Sequence, residues 1–444
     1  MSLKKAFTVL LSAVLCTTLA SCSPSNEDKE INGTTSHTSD SSTVTSSGVS
    51  FPIEVIKDGK TKYTIVYSTE QGDYAHAAAN ELSKQIFDAT GVSVFIEEDR
   101  FSNSEYEIVL GKTDREGDEI PFLRHEHNWL EKPIFVEYYE NRLLITAKDD
   151  FSLCYNIDRL AALWTAEYRD GILGADNEIC DTLMTETPKA SNDLSIMSHN
   201  VYYKNMQQRK GLVAQELAYF SPDLIGLQEA TPEWMTFLDS TLTEYGRIGV
   251  SRAANGNGEY NPIFYKKDKF ELLDSGTFWL SKTPSVPGSR FDGANNDRIA
   301  TWGLFQIKQS GKKLLLLNTH LDTAGENIRT LELDLIFDFL SDYDRYPIYM
   351  TGDFNFQLTF DTYEKTNELF HSCHDIAKIN ISKDVPTFNA WGDRTATGDY
   401  IFANKDSEHE VILYRVINER RFGDFTFDEF ISDHYAVYVK IRIT

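Results

Sequence analysis

Ile348-Tyr349-Met350-Thr351-Gly352-Asp353-Phe354-Asn355 is a short apolar run that ends on an aspartate and an asparagine. Its apolar part reads as a buried strand. Asp353 and Asn355, two apart on extended backbone, would point to the same side. A strand that stops on polar residues delivers them to the rim of a rigid sheet, a usual place for a site. One such end means little, since a satisfied turn or cap explains it as well. The sequence repeats the arrangement. Asn200 ends the run 194–201, Glu229 follows 224–228, His320 follows 313–319, and Asp399 opens 400–403. Asp433 and His434 open the last run, 435–443.

These residue types fit one reaction. Glu229 with Asn200 or Asp433 gives hard oxygen ligands that suit Mg²⁺ or Mn²⁺. Asp399 can fix the tautomer of His434 and leave its other nitrogen for a water or a phosphate. Of Asp353 and Asn355, one can orient or deprotonate the water and the other can donate to a phosphoryl group. His320, if protonated, can neutralise charge growing on the phosphate.

The block 191–444 resembles the endonuclease/exonuclease/phosphatase superfamily, the group of deoxyribonuclease I, neutral sphingomyelinases, inositol polyphosphate 5-phosphatases and deadenylases. The resemblance is carried, in family order, by "HNV", "LQEA", "NPIFYKKDKFELLDSGTFWLS", "NTHLD", "TGDFN", "GDYIF" and "SDHYAV". It implies an α/β fold: a four-layer sandwich of two stacked mixed sheets flanked by helices. By position it implies metal binding by Glu229 with Asn200 and Asp433. It implies catalysis by His320, Asp353, Asn355, Asp399 and His434, with either Asp353 or His434 as general base. The stretch from Gly258 to Trp302 looks like a bacterial secreted branch near the deadenylase-like members, in which Tyr265 and Arg298 would lie near the phosphate. For Arg298 a structural ion pair is the competing reading. Trp279 and Trp302 read as core, Asp322 as a loop cap, and His199 is a departure from the expected small neighbour of Asn200.

Ahead of this block, residues 1–22 combine a basic start, a short apolar run and the ending Leu19-Ala20-Ser21-Cys22. That pattern reads as a secretory signal, and its ending resembles the bacterial lipobox, which implies lipidation of Cys22. Residues 23–50 are rich in Ser, Thr, Asp and Asn and read as a disordered tether. The expected location is extracytoplasmic, on a bacterial membrane through the N-terminal lipid. Residues 51–190 alternate short strands with helices at 73–89 and 151–167 and read as a small α/β accessory domain. It weakly resembles the small N-terminal domain of some glycoside hydrolases, which implies carbohydrate contact. Cys154 and Cys180 either pair or stand as buried thiols.

The chain has 444 residues, with 43 Lys and Arg against 68 Asp and Glu, a net charge of −25. Such a balance argues against a protein that coats nucleic acid through a basic surface, so no stable nucleic-acid complex is expected. It leaves room for a phosphoesterase whose metal neutralises the phosphate. The basic run Lys266, Lys267 and Lys269 reads as a solvated turn. The expected function is divalent-metal-dependent hydrolysis of a phosphodiester or phosphomonoester, on a lipid headgroup, inositol or sugar phosphate, by a monomer. The alternatives are a secreted nuclease acting on DNA or RNA and a surface glycan- or ligand-binding lipoprotein.

Overall fold

A computed structural model of the chain describes residues 50–69, 73–101, 104–114, 133–189, 192–418, 421–422, 425–426 and 430–444. The expected signal, Cys22 and all of the tether but Ser50 lie outside them. Among the described residues no helix is long and apolar enough to cross a membrane.

The first part is a five-stranded sheet in the order Phe95–Glu98, Thr64–Tyr67, Glu107–Leu110, Arg142–Ala147, Ile134–Tyr139. The pairings are parallel except for the outer hairpin. Helices Asp73–Thr90 and Asp150–Thr165 cover it, because Ala78, Leu82 and Ile86 of one and Leu153, Ile157 and Leu160 of the other recur at helical spacing and are buried. Asp149 starts the second helix by accepting the Ser152 N–H at 2.7 Å. Gly91, at φ 72°, ends the first where a side chain would be strained. The strand pair Ile53–Lys57 and Ile172–Ala175 and the helix Asn177–Glu186 add to this part. They were too short to read from periodicity. Cys154 and Cys180 are free and buried, so the thiol reading holds.

The rest is two stacked sheets. One has seven strands in the order Tyr245–Ile248, Ile263–Lys266, Leu224–Gln228, Asp193–Asn200, Ala436–Ile443, His409–Ile417, Ile379–Asn380. The other has six: Phe270–Trp279, Ile299–Ile307, Lys313–His320, Ile348–Asp353, Asp399–Asn404, Phe370–Ser372. The run Leu314 to Leu317 shows how the layers form. Leu314 and Leu316 face the opposite sheet with Ile196, Phe305 and Val439. Leu315 and Leu317 face Leu333 and Ile336 of the helix Glu326–Leu340. A strand buried on both faces reads as an unbroken apolar run. On the far side of the seven-stranded sheet, helices Met206–Phe220 and Pro232–Thr241 bury Val213, Leu217, Trp234 and Leu238. This is the expected four-layer α/β fold with a small α/β part before it.

The two parts are joined by charge as well as by packing. Arg442 reaches Asp193 at 2.7 Å, Asp158 at 2.9 Å and Glu410 at 3.3 Å. The buried Lys440 donates to the Tyr155 carbonyl at 2.6 Å and pairs with Asp193 at 3.0 Å. The buried guanidinium of Arg415 lies over the rings of Tyr74 and Phe220, 4.6 and 4.8 Å from their centroids.

Candidate active site

Strand register assembles the site. His320 stands opposite Asp353 on adjacent parallel strands, and Asp353 stands opposite Asp399 on the next, antiparallel one. In the other sheet Asn200 is opposite Gln228, which places Glu229 one residue beyond the strand end. Asp433 and His434 lead into the strand that pairs Val437 with Ser198, at the same end. All eight expected catalytic and metal-binding residues therefore converge on one rim of the sandwich.

Their contacts are close. Asn200 Nδ2 donates to Glu229 Oε1 at 3.2 Å and to Asp353 Oδ2 at 3.1 Å. Its Oδ1 accepts the Tyr202 N–H at 3.0 Å, so the amide shows its nitrogen to the two acids. Glu229 Oε2 accepts the Tyr203 N–H at 3.1 Å. His434 Nδ1 lies 2.8 Å from Asp399 Oδ2, and His434 Nε2 lies 3.7 Å from Asp353 Oδ2. His320 Nε2 lies 3.5 Å from the same Asp353 oxygen. Asn355 donates its backbone N–H to Asp353 Oδ1 at 3.0 Å and a side-chain hydrogen to the Leu321 carbonyl at 2.9 Å. The Ser432 hydroxyl donates to the Asn200 carbonyl at 2.7 Å and so ties the Asp433 loop to the first strand. Glu229 and Asn355 are left-handed, at φ 59° and 52°. Non-glycine residues hold that conformation only where their surroundings fix them.

The electrostatics follow from crowding acids out of water. Burial, then the charge of Asp399, raises the Asp353 carboxyl well above the usual carboxylate range. Burial also raises Asp433. For His434 burial opposes the charged form, but Asp399 and Asp353 outweigh it and the imidazole titrates high. His320 goes the other way. Burial and the nearby Arg298 and Arg252 hold it well below the ordinary histidine range. Burial thus favours the neutral ring, in which His320 offers one N–H.

One correction concerns the substrate contacts. Tyr265 pairs with Leu224, at the start of the strand whose far end carries Glu229, and its ring packs on Phe305. Its strand runs antiparallel, so the site end holds Asn261, whose side chain donates to the Ile299 carbonyl at 3.0 Å. Arg298 does lie at the site end, but only 4% exposed, with Nε 3.7 Å from the fully buried Asp322. The ion pair of the competing reading is present, and the place at the site end also fits the phosphate reading. Asp322 is the expected loop cap, accepting the N–H groups of Asn295, Asn296 and Ala324. Trp279 and Trp302 are buried core. His199 Nδ1 meets Glu216 Oε1 at 2.9 Å beneath the site, which accounts for the departure from a small residue there. Lys266, Lys267 and Lys269 spend their ammonium groups on the Ser221, Thr243 and Asp193 carbonyls, so they present no basic groove.

A polar network below the rim escaped the sequence reading. Gln228 Nε2 donates to Asn318 Oδ1 at 2.7 Å, and Thr351 Oγ1 donates to the same oxygen at 3.1 Å. Asn318 Nδ2 donates to the carbonyls of Leu227 and Pro262 in the facing sheet. The signal was present: each of these polar residues sits inside an apolar run, at positions that face the other sheet.

Asp353, Asp399 and His434 each offer an atom within 4.8 Å of the others, a spacing that fits a metal. The short His434–Asp399 bond and the raised imidazole mark that trio as an acid–base group instead. The acid side, Glu229 with Asp433, is the better fit to a hard divalent cation, while Asn200 beside them turns its nitrogen to the acids and spends its oxygen on the Tyr202 N–H. Asp433 is half-buried beside the charge of Glu229, and a cation would relieve the repulsion between the two carboxylates.

The fold and site together define a hydrolase of the phosphoesterase and nuclease type. The model of the endonuclease/exonuclease/phosphatase family matches residues 197–434, and the chain belongs to that family. A family protein of Bacteroides thetaiotaomicron of solved structure is 28% identical, with a TM-score of 0.53, over 57% of this chain and 98% of that one. A mannosyl-6-phosphatase of the same organism is also 28% identical, with a TM-score of 0.51, over 56% and 99%. Human Nocturnin is 22% identical over 263 residues, 54% of this chain and 58% of its own. The Ccr4 exoribonuclease subunit of Debaryomyces hansenii is 29% identical over 155 residues, 30% of this chain and 18% of its own. The chain thus spans less than two thirds of these curated relatives.

Proposed function

We propose that this protein is a divalent-metal-dependent phosphoesterase acting on a small or membrane-linked phosphoester, held outside a bacterial cell by lipid on Cys22. The observation that carries the chemistry is the convergence of Glu229, Asp353, Asp399 and His434 on Asn200 and on one another. Glu229 with Asp433 would hold Mg²⁺ or Mn²⁺, with Asn200 beside them holding Glu229 in place; the metal when bound supplies positive charge to the phosphate and a more acidic water. Asp399 fixes the His434 ring so that Nε2 faces Asp353. Asp353 orients the attacking water and takes its proton, since the imidazole of His434 titrates high and holds its own. Asn355 and the neutral His320 donate to the phosphoryl oxygens as their charge grows. The location rests on the sequence of residues 1–50, and carbohydrate contact by residues 51–190 rests on their resemblance alone. The net charge of −25 and the engaged lysines favour this substrate range over a nuclease.

Glu229→Ala is the test. Activity should fall and the Mg²⁺ needed for half-maximal rate should rise, because a metal-facing carboxylate is gone. Full activity at unchanged Mg²⁺ demand refutes the role.

A further inference from the structure

Asp353, Asn355 and His434 line a cavity of about 390 Å³ together with two arginines, Arg329 and Arg394. We infer that these two guanidinium groups receive oxygens of the phosphoryl group bound at Asn355 and His434, and that Arg394 selects a doubly charged monoester over a singly charged diester; this rests on the phosphoesterase reading above.

Charge comes first. Among the described residues that line the cavity, Asp353 is the one carboxylate, against the two arginines and His434. His434 is held by Asp399 in the form that keeps its proton. In a chain of net charge −25 the cavity therefore reverses the sign. Glu229 and Asp433, the acids assigned to the metal, do not line it. Its arginines are thus a source of positive charge apart from the metal side.

Neither arginine is spent on a carboxylate. Arg329 is 5% exposed, and its side chain donates to the Asp322 carbonyl at 3.1 Å. Its Nε is buried without a partner, and among the described residues it forms no ion pair. The acids around it are engaged or neutral. Asp322 is taken up by Arg298 and three loop N–H groups, Glu326 accepts the Thr362 N–H at 3.3 Å, and burial raises Glu332 to about 8. A guanidinium taken out of water without a counter-charge is costly, and an anion in the cavity would offset that cost.

Arg394 is exposed and, among the described residues, has neither an ion pair nor a hydrogen bond. It is placed all the same. Its guanidinium carbon lies 5.5 Å from the centroid of the Phe388 ring, a cation–π contact. That ring lies 4.8 Å from the His434 ring, and the two residues pair across an antiparallel bridge. Phe388 and Ala396 exchange backbone hydrogen bonds at 2.8 and 3.1 Å and close the turn that carries Arg394. One aromatic ring thus connects this free cation to the histidine of the site.

The chemistry selects the ligand. A guanidinium presents a planar fork that matches two phosphoryl oxygens at once. Near neutral pH and above, a monoester carries close to two negative charges on three free oxygens. A diester carries one charge on two. The added charge and the added oxygen are what a cation at this place reads.

The experiment compares kcat/KM on p-nitrophenyl phosphate and bis-p-nitrophenyl phosphate, which share a leaving group, with Mg²⁺ at about pH 8, where the monoester is doubly charged. The proteins are the wild type, Arg394→Ala, Arg394→Lys and Arg329→Gln. Phosphorus NMR titration with inorganic phosphate and with dimethyl phosphate is run beside it in EDTA. Arg394→Ala should lower the monoester-to-diester ratio about tenfold, and Arg394→Lys, with the charge but without the fork, should restore part of it. Arg329→Gln should lower the ratio in the same direction; if it does not fold, the Arg394 variants decide. Inorganic phosphate should bind the wild type about tenfold more tightly than Arg394→Ala. An unchanged ratio in folded Arg394→Ala, or an equal loss on both esters, overturns the inference. If the wild type turns over neither ester, the phosphoesterase reading falls, and the titration still decides the cavity: equal phosphate affinity in the wild type and Arg394→Ala overturns the arginine pocket as well.

Discussion

Asn200 of one sheet donates a 3.1 Å hydrogen bond to Asp353 of the other, and a second, at 3.2 Å, to Glu229. A single neutral amide therefore holds together the acid assigned to the water and the acid assigned to the metal. Asn200→Ala should lower kcat roughly 10- to 100-fold with little change in melting temperature, the usual cost of removing a positioning partner. Wild-type kinetics in a folded Asn200→Ala variant would show that the acids hold their places without it.

Gly226 sits where the sheets come closest. A Cβ there would lie 2.2 Å from Thr351 Oγ1 and 2.8 Å from the Asn318 amide. Thr351 and Asn318 are already bonded to each other and neither is free to move aside. Gly226→Ala should cost about 1–3 kcal/mol of stability by overpacking, measured by urea denaturation. A loss well under 1 kcal/mol would mean that the sheets separate easily.

Glu332 is almost fully buried and accepts the Asp322 N–H at 2.9 Å. Burial dominates over the nearby Arg298 and lifts its pKa to about 8. In the unfolded chain it titrates near the ordinary value of about 4.3. The folded state thus binds the extra proton between those values, and stability falls as pH rises through that window. Glu332→Gln, always neutral, should remove that part of the slope in melting temperature between about pH 4.5 and 8. An identical slope in the variant would mean that Glu332 is ionised in the fold.

Much of the site was legible because it lies at strand ends. Polar residues that close apolar runs, such as Asn200, His320 and Asp353, needed only the alternation of buried strands to be seen. Tyr265 misled for the same reason: it lies in an apolar strand, and only the antiparallel pairing with Leu224 shows which end it occupies. The strand His409–Ile417 was missed because Arg415 interrupts its apolar run, and only the rings of Tyr74 and Phe220 explain a buried arginine there. The edge strand Phe270–Trp279 was legible only as a strand-like run, without bounds, because much of it faces solvent with a mixed polar pattern.

The central claim is metal-dependent phosphoester hydrolysis at Asp353 and His434. The direct measurement is hydrolysis of bis-p-nitrophenyl phosphate, sugar and inositol phosphates, sphingomyelin, DNA and RNA by the chain from Phe51 onward. Each is run with Mg²⁺ or Mn²⁺ and with EDTA. Turnover should require the metal, fall roughly 10²-fold in His434→Ala, and vanish in the Asp353→Asn, His434→Ala double variant. Turnover that persists in EDTA, or in the folded double variant, would contradict the account.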